Sequence, residues 1–233
     1  RDLIAATVKE GGFGNREVLI RVNGLDTPWS HDDLLMAGAS AADGVVLPKI
    51  ESADAIRLAD QVLRTVGPGK ALWAMVETPM AVMNVRDIAS AGAPLVCLLL
   101  GTSDLAKEMR LSDQSATAGL IWSLSQSIVA ARAYGLDVID GVHLNIKDEE
   151  GFKSACHRGQ AFGFDGKSLI HPTQIAMANE TFGLSADEIE HAQTVVSAYE
   201  TARAEGKGLA VLNGKLIEAL HVEQAKRVLA VAQ

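Results

Sequence analysis

The stretch Ala71-Leu72-Trp73-Ala74-Met75-Val76-Glu77, followed by Leu95-Val96-Cys97-Leu98-Leu99-Leu100, decides the fold. Each is a short, almost unbroken apolar run of strand length, and the second is the longest in the chain if Pro94 is counted with it. Strands of this composition are buried on both faces, which is the condition of a parallel sheet covered by helices. Working outward, similar runs occupy Glu17–Asn23, Gly44–Pro48, Leu136–Asp140 and Gly166–Ile170. Apolar residues at helical spacing fill the gaps, around Leu34 and Leu35 and over Ser52–Val66, Met80–Ser90, Ala116–Tyr134 and Asp148–Ala161. Strands alternating with helices specify parallel strands joined by helical crossovers.

A (β/α)8 barrel, the TIM-barrel fold, needs eight such units in roughly 250 residues, and six strands are visible here. We therefore expect an α/β barrel without its first two strand–helix units, the segment Asp2–Gly12 being the last helix of an earlier unit. The beginning at Arg1 rather than Met agrees with an absent start. After Ile170 the pattern turns helical. Pro172 suits a first helical position, Ser185-x-x-Glu188 is a capping box opening a long polar helix to about Glu205, and a last helix starts near Val222. Gly206–Lys215 reads as a short hairpin or a mobile segment. This predicts a barrel domain over residues 1–180 and a C-terminal helical extension over 181–233.

Of the 233 residues 48% are hydrophobic and 21% charged, with 21 Lys and Arg against 29 Asp and Glu, a formal charge of −8. Such a chain buries a sizeable core and is not disordered. No apolar stretch approaches the ~20 residues of a membrane helix, and no basic run suits nucleic acid or an anionic membrane. Cys97 and Cys156 make no disulfide framework. We expect a protein of the reducing cytoplasm.

In a parallel barrel the chemistry lies where strands end. Period-2 alternation in Val18–Asn23 puts Leu19, Arg21 and Asn23 on one face, making Arg21 an interior cation near a strand exit, where a substrate carboxylate or an acidic side chain would pair with it. Glu77 ends one strand, and Asp104 follows the next through Gly101-Thr102-Ser103. Two carboxylates on adjacent exits suit a hard cation such as Mg²⁺, which takes one or two protein carboxylates and leaves its other positions to water and substrate. Structural alternatives stand beside this reading: Asp104 as a helix cap, Glu77 paired with Arg21, and Lys49 as a rim charge paired with Glu51. Lys49 or Lys167 is a candidate Schiff-base amine. His171 before Pro172 reads as a structural residue at a turn. No His-x-x-x-His, Cys-x-x-Cys, phosphate-loop or Gly-x-Gly-x-x-Gly pattern is present.

Read together, the strand exits resemble the citrate lyase β-subunit-like group of the HpcH/HpaI aldolase family, the coenzyme A ester lyases. The resemblance lies in Ile20–Trp29 (IRVNGLDTPW), Asp43–Ser52 (DGVVLPKIES), Val76-Glu77-Thr78-Pro79, Leu100–Leu105 (LGTSDL), Asp140-Gly141-Val142 and Gly163–Ile175 (GFDGKSLIHPTQI). It implies Mg²⁺ held by Glu77 and Asp104, with Arg21 on the 2-oxo acid portion and Glu77 also against the substrate. The implied reaction is reversible carbon–carbon cleavage of a citryl-, malyl- or citramalyl-coenzyme A ester to an acyl-coenzyme A and a 2-oxo acid. Hydrolysis of malyl-coenzyme A-type esters is the alternative, and an acyl-coenzyme A-binding subunit without activity of its own is a third reading. Many members of the family carry a Gly-x-Met-Ile-Asp segment whose Asp reaches a neighbouring subunit and handles the proton. Here Asn213-Gly214-Lys215-Leu216-Ile217-Glu218 places Glu218 at that position, one methylene longer. The resemblance also implies a homo-oligomer, a trimer or hexamer.

Overall fold

The computed structural model describes residues 1–112, 116–206 and 209–232. Lys207 and Gly208 of the expected hairpin segment lie outside the described residues. Six strands form one parallel sheet in chain order: β1 (Leu19–Arg21), β2 (Gly44–Leu47), β3 (Ala71–Val76), β4 (Leu95–Leu100), β5 (Asp137–Asp140) and β6 (Gly166–Lys167). Every neighbour pairs with the next strand in sequence. This is the winding of a (β/α) barrel, a curled half-barrel of the class the sequence predicts.

Helices precede β1 and fill every connection. They are α1 (Asp2–Glu10), α2 (Ser30–Ala39), α3 (Ala53–Leu63), α4 (Pro79–Met83), α5 (Val85–Ala89), α6 (Thr102–Glu108), α7 (Ala116–Ala133) and α8 (Glu149–Phe162). The segment expected as one helix from Met80 to Ser90 is broken at Asn84 into α4 and α5. Local chemistry sets several starts. The hydroxyls of Ser52 and Thr78 accept the N–H groups of Ala55 and Ala81, and the Asp148 carboxylate accepts that of Gly151. Pro79 follows Thr78 at the first helical position, where a missing N–H costs nothing.

The core lies between the sheet and its helices. Ile20, Val45, Leu47, Leu72, Ala74, Leu98, Leu100 and Val138 point into it from the strands and are buried. Burial of both sheet faces, expected from the apolar runs, is only half realised. Trp73, Leu99 and Ile139 are half-buried and Arg21 is exposed, while Val46 and Met75 on the same inner face are buried.

The chain divides into two compact units, Arg1–Ala178 and Asn179–Gln233. The division falls within α9 (Ile175–Phe182), which a 3-10 turn at Pro172–Gln174 precedes. In the second unit, α10 (Ala186–Ala204) opens on the expected capping box: Glu188 N–H donates to the Ser185 hydroxyl and Ser185 N–H to the Glu188 carboxylate. The strands β7 (Ala210–Leu212) and β8 (Lys215–Ile217) form an antiparallel hairpin. Its two turn residues, Asn213 and Gly214, both have positive φ, as a turn matched to the twist of a hairpin requires. The last helix, α11 (Ala219–Val231), packs with α10 and the hairpin around Val195, Ala210, Ile217 and Val222. Among the described residues no helix is long and apolar enough to cross a membrane.

Leu98 is fully buried at the centre of the sheet. Leu98→Ala should lower the stability of the first unit by about 2–5 kcal/mol, measured as a shift in the urea midpoint of its unfolding.

Candidate functional site

The β3 strand delivers Glu77 at its exit. Val76 completes the strand, Thr78 caps α4 and Pro79 starts it, so the chain reverses direction immediately after the carboxylate. Glu77 alternates with Trp73 and Met75 and therefore faces the inner side of the sheet. It is only 4% exposed. The backbone N–H of Lys49 donates to its Oε1 at 2.9 Å. That N–H points at Glu77 because Lys49 adopts a left-handed conformation, φ +49°, which a non-glycine residue holds only when its surroundings compensate. Ile50 N–H then returns to the Met75 carbonyl. The same loop is tied again where the Thr78 hydroxyl donates to Glu51 Oε1 at 2.6 Å and the Asn84 side chain donates to the Glu51 carbonyl. Glu51 is thus bound to Thr78, and the expected rim pair between Lys49 and Glu51 is not formed, since its carboxylate is turned to the cap.

Gly101 brings the β4 exit against Glu77. A side chain at Gly101 would collide with the Cβ of Glu77 and approach its Oε2 to 2.5 Å. This close approach is what the glycine allows. Asp104 is the third residue of α6, whose N-cap is Gly101, so Asp104 is not a capping residue. It is exposed and makes no hydrogen bond to any described residue. Arg21, on the same inner face from β1, forms no ion pair with Glu77: its guanidinium is exposed and has no charged partner within 4 Å among the described residues. The strand places it as expected on the face of Leu19, while Ile20 and Val22 point into the core.

The three groups nevertheless feel one another. Burial raises the Glu77 pKa above its ordinary value of 4.5; the Lys49 N–H opposes this, Asp104 raises it further by repulsion, and Lys49 and Arg21 lower it by attraction. Glu77 is therefore a buried carboxylate with one oxygen bound, one oxygen free of hydrogen bonds to described residues, and a second carboxylate near enough to disfavour its charge. That state is relieved by a cation. The donor set is hard oxygen, and among the described residues no three His, Cys, Asp or Glu side chains converge. A metal here would be held by two carboxylates with its other positions open, as Mg²⁺ prefers.

The other candidates are placed elsewhere. Lys167 is not a free amine: its side chain is 4% exposed and ion-paired at 2.5 Å to Asp140. Asp140 alternates with the buried Val138, so the pair lies on the helix side of the sheet, opposite to Glu77, and a Schiff base at Lys167 has no support. His171 is structural, its Nδ1 accepting from the Thr173 N–H and meeting the Thr173 hydroxyl at 2.9 Å. Glu218, in the second unit, precedes α11, and its backbone N–H donates to His221 Nδ1 at 3.0 Å. A cavity of about 1040 Å³ is bordered by Thr102, Ser103, Asp140, Arg158 and Lys167 and touches none of Arg21, Glu77 and Asp104. Sequence reasoning missed the Lys49 N–H clamp and the Asp140–Lys167 pair. The only trace of the first is a lysine after Pro48 at a strand exit.

The family described as HpcH/HpaI aldolase/citrate lyase matches residues 1–172. The chain belongs to this family. All of Arg21, Glu77 and Asp104 lie within the matched part, as do Asp140 and Lys167. Two relatives and one structure illustrate the family's range. A (3S)-malyl-CoA thioesterase of Cereibacter sphaeroides (strain ATCC 17025 / ATH 2.4.3) is 40% identical, with 100% of this chain and 80% of the relative covered. A citrate lyase subunit beta of Leuconostoc mesenteroides subsp. cremoris is 31% identical, covering 100% and 79%. The crystal structure of protein CitE from Mycobacterium tuberculosis in complex with magnesium, acetoacetate and coenzyme A superposes with a TM-score of 0.69 at 26% identity, over 92% of this chain and 77% of that one.

Because ionised Glu77 opposes folding, its cost is absent below the unfolded-state pKa and fully present above the raised folded-state value. Glu77→Gln should therefore raise the melting temperature of the metal-free protein at neutral pH. The gain should shrink as pH falls through the raised pKa, and a pH series of thermal melts checks it.

Proposed function

We propose that this protein acts on a malyl-coenzyme A-type thioester with Mg²⁺ and hydrolyses it. The observation that carries the reading is the pair of carboxylates Glu77 and Asp104 on adjacent strand exits, with the unpaired Arg21 on the same face. Similarity along the whole chain to a malyl-CoA thioesterase supports hydrolysis, and the magnesium in the related CitE crystal supports the metal. Carbon–carbon cleavage to an acyl-coenzyme A and a 2-oxo acid is the second reading, favoured by the similarity to a citrate lyase β subunit.

Glu77 and Asp104 would hold the metal, which when bound supplies Lewis-acid polarisation of a substrate oxygen. Arg21 binds the substrate carboxylate; its planar fork matches a carboxylate in a bidentate pair, and with no anion among the described residues paired to it both N–H edges are left for the ligand. The Lys49 N–H fixes Glu77 through one oxygen and leaves the other for coordination. The proton is assigned to Glu218. In hydrolysis it accepts a proton from the attacking water as the carbon–oxygen bond forms, the carbon–sulfur bond breaks and the thiolate leaves to be protonated. In cleavage the substrate hydroxyl loses its proton to solvent as it becomes the 2-oxo acid carbonyl and the carbon–carbon bond breaks, and Glu218 gives a proton to the resulting thioester enolate. The reading includes a homo-oligomer, trimer or hexamer, in which Glu218 of one copy serves another, and a cytoplasmic location.

Product analysis tests the reaction. Malyl-coenzyme A should yield malate and free coenzyme A, with turnover lost on adding a chelator and restored by Mg²⁺. Glyoxylate with acetyl-coenzyme A as products establishes the lyase, and turnover unchanged by chelator removes the metal. Glu77→Ala should abolish turnover, and binding without turnover in the wild type would make the protein a non-catalytic subunit. Arg21→Ala should cost about 2–5 kcal/mol in kcat/KM if it holds a desolvated carboxylate, read from steady-state kinetics.

A further inference from the structure

We propose that Asp140 and Lys167 are positioning residues for Asp104, acting across the sheet layer through Gly141 and Thr102; this rests on the reading of Asp104 as a metal ligand. The two side chains form a buried ion pair at the exits of β5 and β6. A buried charge pair of this kind needs its remaining lone pairs satisfied, and here they are spent on one turn. Asp140 Oδ2 takes the Lys167 ammonium, and its Oδ1 accepts the Gly141 N–H at 2.8 Å. The Asp140 carbonyl meanwhile accepts from Ser168 N–H, fixing the end of β6 alongside.

Held in this way, Gly141 is pressed onto Thr102. A Cβ at Gly141 would overlap the Thr102 side chain, Oγ1, Cγ2 and Cβ alike. Thr102 is the first residue of α6 and Asp104 the third. On its other flank the same turn meets Glu77 through Gly101. The segment that presents Asp104 is thus gripped from two sides, by the carboxylate it serves and by Gly141. The second grip matters because Thr102 and Ser103 otherwise border the cavity of about 1040 Å³. Supports of this type commonly change metal affinity by about 10–100-fold.

The test is Mn²⁺ binding to the full chain, followed by electron paramagnetic resonance without substrate. Gly141→Ala should weaken binding about tenfold, and Thr102→Gly added to it should restore binding to within about threefold by removing the overlap, a rescue that a general structural lesion would not show. Asp140→Ala should weaken binding similarly, whereas Asp140→Asn, which keeps an acceptor for the Gly141 N–H but leaves the Lys167 ammonium without its counter-charge, should weaken it less. If Asp140→Ala does not fold, the Gly141→Ala pair decides. Should the wild type bind and Glu77→Ala not, while Gly141→Ala matches the wild type, the positioning role is overturned and the metal reading stands. A folded wild type that binds no Mn²⁺ overturns both.

Discussion

A carboxylate taken out of water at the end of a strand governs this site. Glu77 is buried with a single backbone N–H on one oxygen and, among the described residues, no cation bonded to it. Burial and the neighbouring Asp104 both push its pKa upward, so the ionised form is held at a cost. Proteins retain such groups where a ligand repays the cost, and a hard divalent ion does so directly. The surrounding details follow from this one constraint. Lys49 is bent into a left-handed conformation to aim its N–H, Gly101 gives up a side chain to let β4 approach, and Thr78 both caps α4 and ties down the neighbouring loop.

The site is built from two kinds of part. Strand exits and short caps set Arg21, Glu77 and Asp104 on a common edge, where each is positioned by its own element. Backbone contacts between elements then set the spacing. Gly101 against Glu77 and Gly141 against Thr102 are close contacts that the absence of a Cβ allows. The Asp140–Lys167 pair lies on the opposite side of the sheet, in the layer between strands and helices.

The family relationship narrows the chemistry without deciding the bond that breaks. Hydrolysis and carbon–carbon cleavage of a hydroxyacyl thioester both use a carboxylate-binding cation, a polarised oxygen and a proton carrier. They differ in whether water is admitted to the thioester carbonyl. In the reading proposed above, that difference does not depend on Arg21, Glu77 or Asp104, which would serve both reactions alike.

Much was legible in the sequence because its causes are local. Strand runs at 71–77 and 95–100, the capping box at Ser185 and the hairpin after Gly206 depend on neighbouring residues, and they form near the expected positions. The alternation that set Arg21 apart from Ile20 holds for the same reason. By itself the sequence determined the order of strands and helices, and which carboxylates stand at exits. Only the tertiary structure decided that Arg21 is exposed and unpaired among the described residues, that Lys167 is spent on Asp140, and that the Lys49 N–H holds Glu77. These are contacts between residues 27 or 28 positions apart, or the lack of them. Their existence depends on the curl and register of the whole sheet, which no local pattern encodes.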